Sequence, residues 1–142
     1  MKEVMDWKIC LEEHIKKVDV DDDKIVSIIK MCDIRLRVLK GVKLDEETAS
    51  VIAADYYEII KELLTALLLK NGLKSNNHEC LISFFKFEFP QYEYEFKVIH
   101  QLKNVRNRVS YDGVFVKKDY IEANKLEFNH IIEVLKEIVS FR

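Results

Sequence analysis

Glycine and proline are scarce in this chain, with three glycines and one proline among 142 residues. An all-β sandwich or barrel needs a turn about every ten residues, and those turns draw on glycine and proline. That fold class is therefore excluded. A folded protein is expected all the same, because 49% of the residues are hydrophobic and 34% are charged. At this length the chain is expected to form one domain over residues 1–142.

Long hydrophobic runs are also missing. The longest nearly uncharged stretch, residues 63–69, is far too short to cross a bilayer. Residues 1–18 carry acidic side chains and a histidine, unlike the apolar centre of a signal peptide. We therefore expect a cytoplasmic protein that does not interact with a membrane.

Cysteine is represented by Cys10, Cys32 and Cys80, an odd number of residues far apart in the chain. No CxxC pair and no Cys/His spacing typical of a zinc site is present. Each cysteine lies in a stretch with apolar periodicity, which favours buried thiols in a reducing compartment over a disulfide framework. We expect neither a metal site nor a cofactor.

Neither sign of charge dominates. The chain has 23 basic and 25 acidic residues, which gives a formal net charge of −2. This balance argues against a generally basic surface that coats nucleic acid, although it allows a local basic patch.

Apolar residues recur at helical spacing along most of the chain. The predicted helices cover residues 2–17, 24–40, 45–71, 78–89, 91–111 and 118–141. Asp21 is expected to cap the second of them. The signals that end or interrupt helices are Gly41, Asn71-Gly72, Pro90 and Asp112-Gly113. The predicted fold class is all-α, an antiparallel bundle of about five helices joined by short connections.

The helix predicted over residues 91–111 combines an apolar stripe with a polar flank. Four residues at the spacing i, i+4, i+7 and i+11 form a core stripe: Val98, Leu102, Val105 and Val109. Beside the stripe lie six side chains that can form hydrogen bonds: His100, Lys103, Arg106, Asn107, Ser110 and Tyr111. A solvated helix face explains this flank. The interspersed Phe96 and Ile99 also suit a dimer interface or an anion-binding groove.

Residues 102–113, which read LKNVRNRVSYDG, resemble the signature helix of the HEPN superfamily (higher eukaryotes and prokaryotes nucleotide-binding domain). In that family an arginine is followed by a polar residue and, a few positions later, by a histidine. The Asp55-Tyr56-Tyr57 segment, residues 67–72 and His78 resemble the middle section of the family. The similarity extends over residues 45–139.

The resemblance implies a metal-independent RNA endonuclease, or a descendant that binds a nucleotide or RNA. In active members the arginine and histidine of two protomers meet at a dimer cleft. There the histidine moves the proton of a ribose 2′-hydroxyl and the arginine holds the phosphate. Carried over to this sequence, Arg106 takes the phosphate role and Asn107 the accompanying polar position. Lys103, Ser110 and His100 complete the ligand-binding set expected on the same flank.

The histidine position of the family falls on Tyr111 in this sequence. A free phenol has a pKa of about 10, so it is a poor general base at neutral pH, although it can donate a hydrogen bond or stack on a base. Nuclease activity is therefore expected to be weak or lost. If cleavage survives, Arg106 and Tyr111 are the catalytic candidates. His78 is interpreted as a residue near a helix N-terminus rather than as a catalyst.

Three functions remain open. The first is a HEPN-like domain that binds RNA, a nucleotide or a nucleotidyltransferase partner in a toxin–antitoxin-like pair, an arrangement common in the group. The second is an active RNA endonuclease that uses Arg106, and the third is a structural adaptor that binds no nucleic acid. A homodimer is expected in the first two cases, because Phe96, Ile99 and Tyr111 lie outside the core stripe and need cover.

Overall fold

The protein's structure is a computed structural model that describes residues 4–141. Over that range it is a bundle of six α-helices with one two-stranded sheet, so the predicted all-α fold class is confirmed. The helices are α1 (Trp7–Glu13), α2 (Asp22–Lys40), α3 (Ala49–Lys70), α4 (His78–Glu88), α5 (Glu93–Asp112) and α6 (Lys118–Phe141). The strands are β1 (Ile15–Lys17) and β2 (Leu73–Ser75), and a 3₁₀ turn, Pro90–Tyr92, separates α4 from α5. None of these helices is long and apolar enough to cross a membrane.

The central helix is α3, which contacts α2, α4, α5 and α6. Its sequence is apolar around most of its circumference, and such a helix is stable only when other elements cover it. A stripe of five residues at helical spacing is buried along its whole length: Ile52, Tyr56, Ile60, Leu63 and Leu67. On one side α6 packs along it, with the Phe128 ring centre 5.2 Å from that of Tyr56. The positions of α5 and α6 are thus set by their packing on α3.

Several helix ends follow the local signals in the sequence. The Asp21 carboxylate accepts a hydrogen bond from the Lys24 backbone N–H at 3.1 Å, which is the predicted cap of α2. Gly72 and Gly113 have φ angles of +70° and +64°, a left-handed conformation that glycine adopts without a steric penalty. Pro90 begins the 3₁₀ turn between α4 and α5, as expected for a residue that cannot continue a helix.

The prediction of one helix over residues 2–17 is wrong for much of its length. The helix α1 ends at Glu13, and β1 follows it (residues 1–3 lie outside the described range). This strand pairs in antiparallel register with β2, which lies between the helices predicted over residues 45–71 and 78–89. The Val18 N–H extends the pairing by donating to the Gly72 carbonyl at 2.9 Å. Pairing with β2, which lies almost 60 residues further along the chain, therefore outweighs the helical periodicity of the residues in β1.

The third helix starts later than predicted, at Ala49 rather than near Asp45. The Asp45 carboxylate accepts hydrogen bonds from the backbone N–H groups of Glu47 and Thr48, each at 2.9 Å. Those bonds hold a turn before the helix and lower the pKa of Asp45. The residue is a turn former at this position, not the first residue of the helix.

The expectation of three free thiols is wrong for two of the cysteines. Cys10 on α1 and Cys80 on α4 form a disulfide, with their Cα atoms 5.6 Å apart. Both side chains are fully buried where α1 packs on α4, which explains why their surroundings read as apolar in the sequence. Cys32 is free and buried, and burial raises the pKa of its thiol to about 11. The cysteines therefore no longer support a reducing compartment, and a cytoplasmic location stays a prediction.

Candidate anion-binding site

The apolar side of α5 is wider than the sequence predicted. The expected core stripe is confirmed at Val98, Leu102 and Val105, which are buried, while Val109 is half-buried. Phe96 and Ile99 were predicted to lie outside the core, but they are also buried. That prediction is wrong because α4 covers this flank of α5 while α3 covers the stripe.

The same covering by α4 removes two predicted ligand contacts from the surface. His100 is 7% exposed and its ring stacks on Phe96, with centroids 6.0 Å apart. Burial and then the charge of Lys103 lower the pKa of His100, so its imidazole is neutral at pH 7. Lys103 is 8% exposed, and its Nζ forms an ion pair with the Glu79 carboxylate at 3.1 Å. Both residues therefore serve the packing of α4 on α5 rather than a ligand.

Arg106 occupies a different environment, one turn further along α5. Its guanidinium carbon lies 5.6 Å from the centre of the Tyr57 ring, and Nη1 donates to the Asn107 side-chain oxygen at 3.4 Å. Tyr57 is 1% exposed; burial raises the pKa of its phenol to about 12, and the charge of Arg106 opposes that rise. None of the described carboxylates forms an ion pair with Arg106. The guanidinium thus lies over an uncharged aromatic ring and has no described carboxylate bound to it, so it can still bind an anion.

Two residues that the sequence reasoning did not select lie beside Arg106. His78 begins α4 next to Glu79, and Lys61 lies one turn beyond Tyr57 on α3. Partial burial, followed by the charges of Lys61 and Arg106, lowers the pKa of His78. The charges of Lys61 and Arg106 therefore both act on this ring. We call the surface formed by Lys61, His78, Arg106 and Asn107 the Arg106 surface.

The Arg106 surface is not broadly positive. Lys61 forms ion pairs with Glu58 at 2.9 Å and with Glu62 at 3.6 Å, and Lys103 behind it is paired with Glu79. Arg106 is the cation of this group without a carboxylate partner among the described residues. This arrangement suits the recognition of one anionic group at one point better than the coating of a polyanion.

The remaining predicted site residues lie at the open end of α5. Ser110 is exposed, and Tyr111 is 76% exposed. The structure therefore brings Arg106 and Asn107 together and leaves Ser110 and Tyr111 exposed, whereas His100 and Lys103 are buried.

Comparison with known proteins adds no further assignment. No family model matches the chain, and neither a curated protein nor a solved structure matches it. In the part of the chain that the structure describes, no three His, Cys, Asp or Glu side chains are grouped so that they could hold a metal ion. The resemblance to the HEPN superfamily stays a prediction.

Proposed function

We propose that this chain is a HEPN-like helical domain that binds the phosphate of a nucleotide or of RNA at the Arg106 surface, with nuclease activity weak or lost. One observation carries the proposal. The Arg106 guanidinium is held against the Tyr57 ring and no described carboxylate neutralises it. In a surface where the neighbouring lysines are paired, an unpaired and positioned guanidinium is the group that is ready to accept an anion.

The geometry around Arg106 favours a phosphate in particular. A guanidinium presents several N–H donors in a plane and can bind two phosphate oxygens at once. The buried Tyr57 ring holds that plane from one side, which reduces the entropy lost when an anion binds. Asn107 adds a side-chain amide next to the same site.

Weak or absent cleavage follows from the groups that surround a bound phosphate. Transfer of a ribose proton needs a base whose pKa lies near the working pH, and Tyr111 offers a phenol at the position where the family has a histidine. The histidine that α5 does contain, His100, is buried. The proposed role is therefore binding.

A second candidate function is the active metal-independent RNA endonuclease. One observation favours it: burial, and then the charges of Lys61 and Arg106, lower the pKa of the His78 imidazole, although this residue comes from α4 and not from the motif helix. A lowered pKa favours the neutral imidazole, which is the form that accepts a proton.

The partners are also part of the proposal. The resemblance supports a homodimer in which two Arg106 side chains face one cleft, and a small nucleotidyltransferase as the second component of a toxin–antitoxin-like pair. Tyr111 is the exposed aromatic residue near the end of α5 that such a contact would cover.

The test of binding is the substitution Arg106→Ala, with Arg37→Ala on the exposed side of α2 as the matched loss of one positive charge. Binding of a fluorescent single-stranded RNA and of ATP is measured at several salt concentrations. We expect Arg106→Ala to weaken binding about tenfold, the value of one charge-assisted hydrogen-bonding contact. The slope of log K against log salt should fall by about 0.7.

Both variants should melt close to the parent protein, because Arg106 borders the core without entering it. Equal losses of affinity in the two variants would mean that Arg106 has no special role. A melting temperature far below the parent in Arg106→Ala alone would make this residue structural. Undetectable binding of both probes by the parent at low salt would favour the structural adaptor.

A further inference from the structure

A pocket of about 300 Å³ lies where α5 ends and α6 begins. Its walls come from the last turns of α5, from the connection over residues 113–117 and from the first turn of α6. Arg108 lines it, and this residue is two positions beyond Arg106, about 200° around the helix. The pocket therefore opens on the opposite side of α5 from the Arg106 surface.

Tyr120 lines the pocket, but its hydroxyl group is closed off from solvent. The hydroxyl oxygen of Tyr120 is inaccessible to solvent and finds no hydrogen-bond partner among the residues that the structure describes. Burial raises the pKa of this phenol to about 12, and the Arg108 charge opposes the rise. The group is thus a protonated donor at neutral pH. Because this hydroxyl is inaccessible to solvent, a ligand in the open pocket would meet other atoms of the Tyr120 side chain, which add to the apolar wall.

The pocket walls are held in place by hydrogen bonds to α3 and to the segment before it. The Val116 N–H donates to the Ser50 hydroxyl at 2.8 Å. Two residues later the Lys118 N–H donates to the Glu46 carboxylate at 3.3 Å. A pocket framed in this way is already formed before a ligand arrives, which lowers the entropic cost of binding.

The lining combines apolar walls with a positively charged rim. Val105, Val116 and Phe115 contribute apolar surface, and Phe115 is 83% exposed at the opening. Arg108 and Lys117 carry positive charge, against one negative charge on Asp119. No ion pair to Arg108 is recorded within residues 4–141. The volume is at the lower end of the range for small-molecule sites.

We propose that this pocket binds a small organic acid whose flat apolar body lies between Val105, Val116 and Phe115. The acid group of the ligand accepts hydrogen bonds from the Arg108 guanidinium. That guanidinium has no carboxylate partner among the described residues, and the net positive rim matches the charge of the ligand. This site is independent of phosphate binding at Arg106.

The test uses two dyes that differ by one anionic group. The first is 8-anilinonaphthalene-1-sulfonate, an aromatic acid, and the second is N-phenyl-1-naphthylamine, its uncharged analogue. Both are titrated into the whole folded chain and followed by fluorescence. We expect the sulfonate to bind at one site per chain and Arg108→Gln to weaken it about tenfold, the effect of one charge-assisted hydrogen bond. Binding of the uncharged analogue should stay the same.

Two control variants separate this pocket from the Arg106 surface and from nonspecific charge effects. Arg106→Ala and Arg37→Gln should bind the sulfonate as the parent does. Tyr120→Phe, which removes only the inaccessible hydroxyl, should also leave the affinity for the sulfonate unchanged. The melting temperature of this variant should stay the same or rise, because a buried unsatisfied hydroxyl has been removed.

The proposal fails if the parent does not bind the sulfonate at tens of micromolar, or if Arg108→Gln and Arg37→Gln have equal effects. It also fails if Arg108→Gln weakens the uncharged analogue as much as the sulfonate. A stoichiometry of one dye per two chains would assign the pocket to a contact between two copies and would overturn the small-ligand site. Loss of RNA binding in Arg106→Ala with intact dye binding would leave this proposal standing.

Discussion

At the scale of single residues, Arg106 and Tyr111 lie five positions apart on α5 and meet different surroundings. The arginine rests on a buried phenol, whereas the tyrosine side chain is three-quarters exposed to solvent. A substitution at Tyr111 should therefore leave packing unchanged, and its effects can be interpreted as effects on chemistry.

If Tyr111 stands where an active relative has histidine, Tyr111→His should give the protein a trace of RNA cleavage in the presence of a chelator. A free imidazole, with a pKa of about 6.5, offers acid and base forms near neutrality. General acid–base catalysis contributes about a hundred- to ten-thousand-fold, so even a misaligned imidazole should exceed a silent background. The measurement is cleavage of end-labelled RNA on a gel.

The matched control is Tyr94→His, at an exposed tyrosine in the first turn of the same helix. Adding Arg106→Ala to Tyr111→His should remove the gained activity. Robust cleavage by the parent that depends on Tyr111 would contradict our interpretation of that residue. Parent cleavage that His78→Gln abolishes would instead select the second candidate function.

At the scale of the elements, prediction succeeded where the structure depends on local signals. The long helices were found because apolar residues recur at helical spacing, and their ends were found at Gly72, Gly113 and Pro90. It failed at β1, because a strand of three residues carries no periodicity of its own. The strand β1 is stabilised by its pairing with β2, and no residue near Ile15 in the sequence indicates that pairing.

The disulfide belongs to the same scale, since it joins α1 to α4. Replacing both partners, Cys10→Ala with Cys80→Ala, should lower the free energy of unfolding by about 4 kcal/mol, the chain-entropy value for a closed loop whose ends are 70 residues apart. The measurement is urea unfolding followed by circular dichroism, and the matched comparison is the parent with and without reductant. The reduced parent should resemble the double variant.

Counting thiols checks the pairing itself. The unreduced protein, unfolded in denaturant, should show one reactive thiol, that of Cys32, and the reduced protein should show three. Three thiols without reduction would restore the original expectation of free cysteines.

At the scale of the whole molecule, the sequence indicated a helix for the candidate site but not which residues of that helix reach solvent. Six side chains shared one flank on the helical wheel, yet α4 covers His100 and Lys103 and leaves Arg106 open. Lys61 and His78 were missed because no sequence pattern shows that α3 and the start of α4 meet at Arg106. Such a site depends on the packing of three helices, which a single periodicity cannot describe.

The homodimer prediction now depends on fewer residues. Phe96 and Ile99 are covered within the chain, so Tyr111 is left as the aromatic residue of the original argument that needs cover. We still expect a two-fold dimer, and sedimentation at tens of micromolar should detect it. Tyr111→Lys should shift the protein to a monomer, because a charge desolvated at an interface is costly.

A matched control for that experiment is Leu126→Lys, at an equally exposed apolar residue on α6. This variant should remain a dimer. A parent that sediments as a monomer would argue against a cleft shared by two Arg106 side chains, while binding at a single Arg106 could still be measured on the monomer.

The bond between Cys10 and Cys80 also determines what a single break in the backbone does. Residues 10–80 form a covalent ring that contains α2 and α3, whereas α5 and α6 belong to a linear tail. A protease cut after the exposed Lys43, between α2 and α3, opens the ring but leaves one connected molecule. A cut after the exposed Lys117 severs α6 from everything that precedes it. After these two cuts α2 stays attached to the chain by a covalent bond, and α6 stays in place by packing alone.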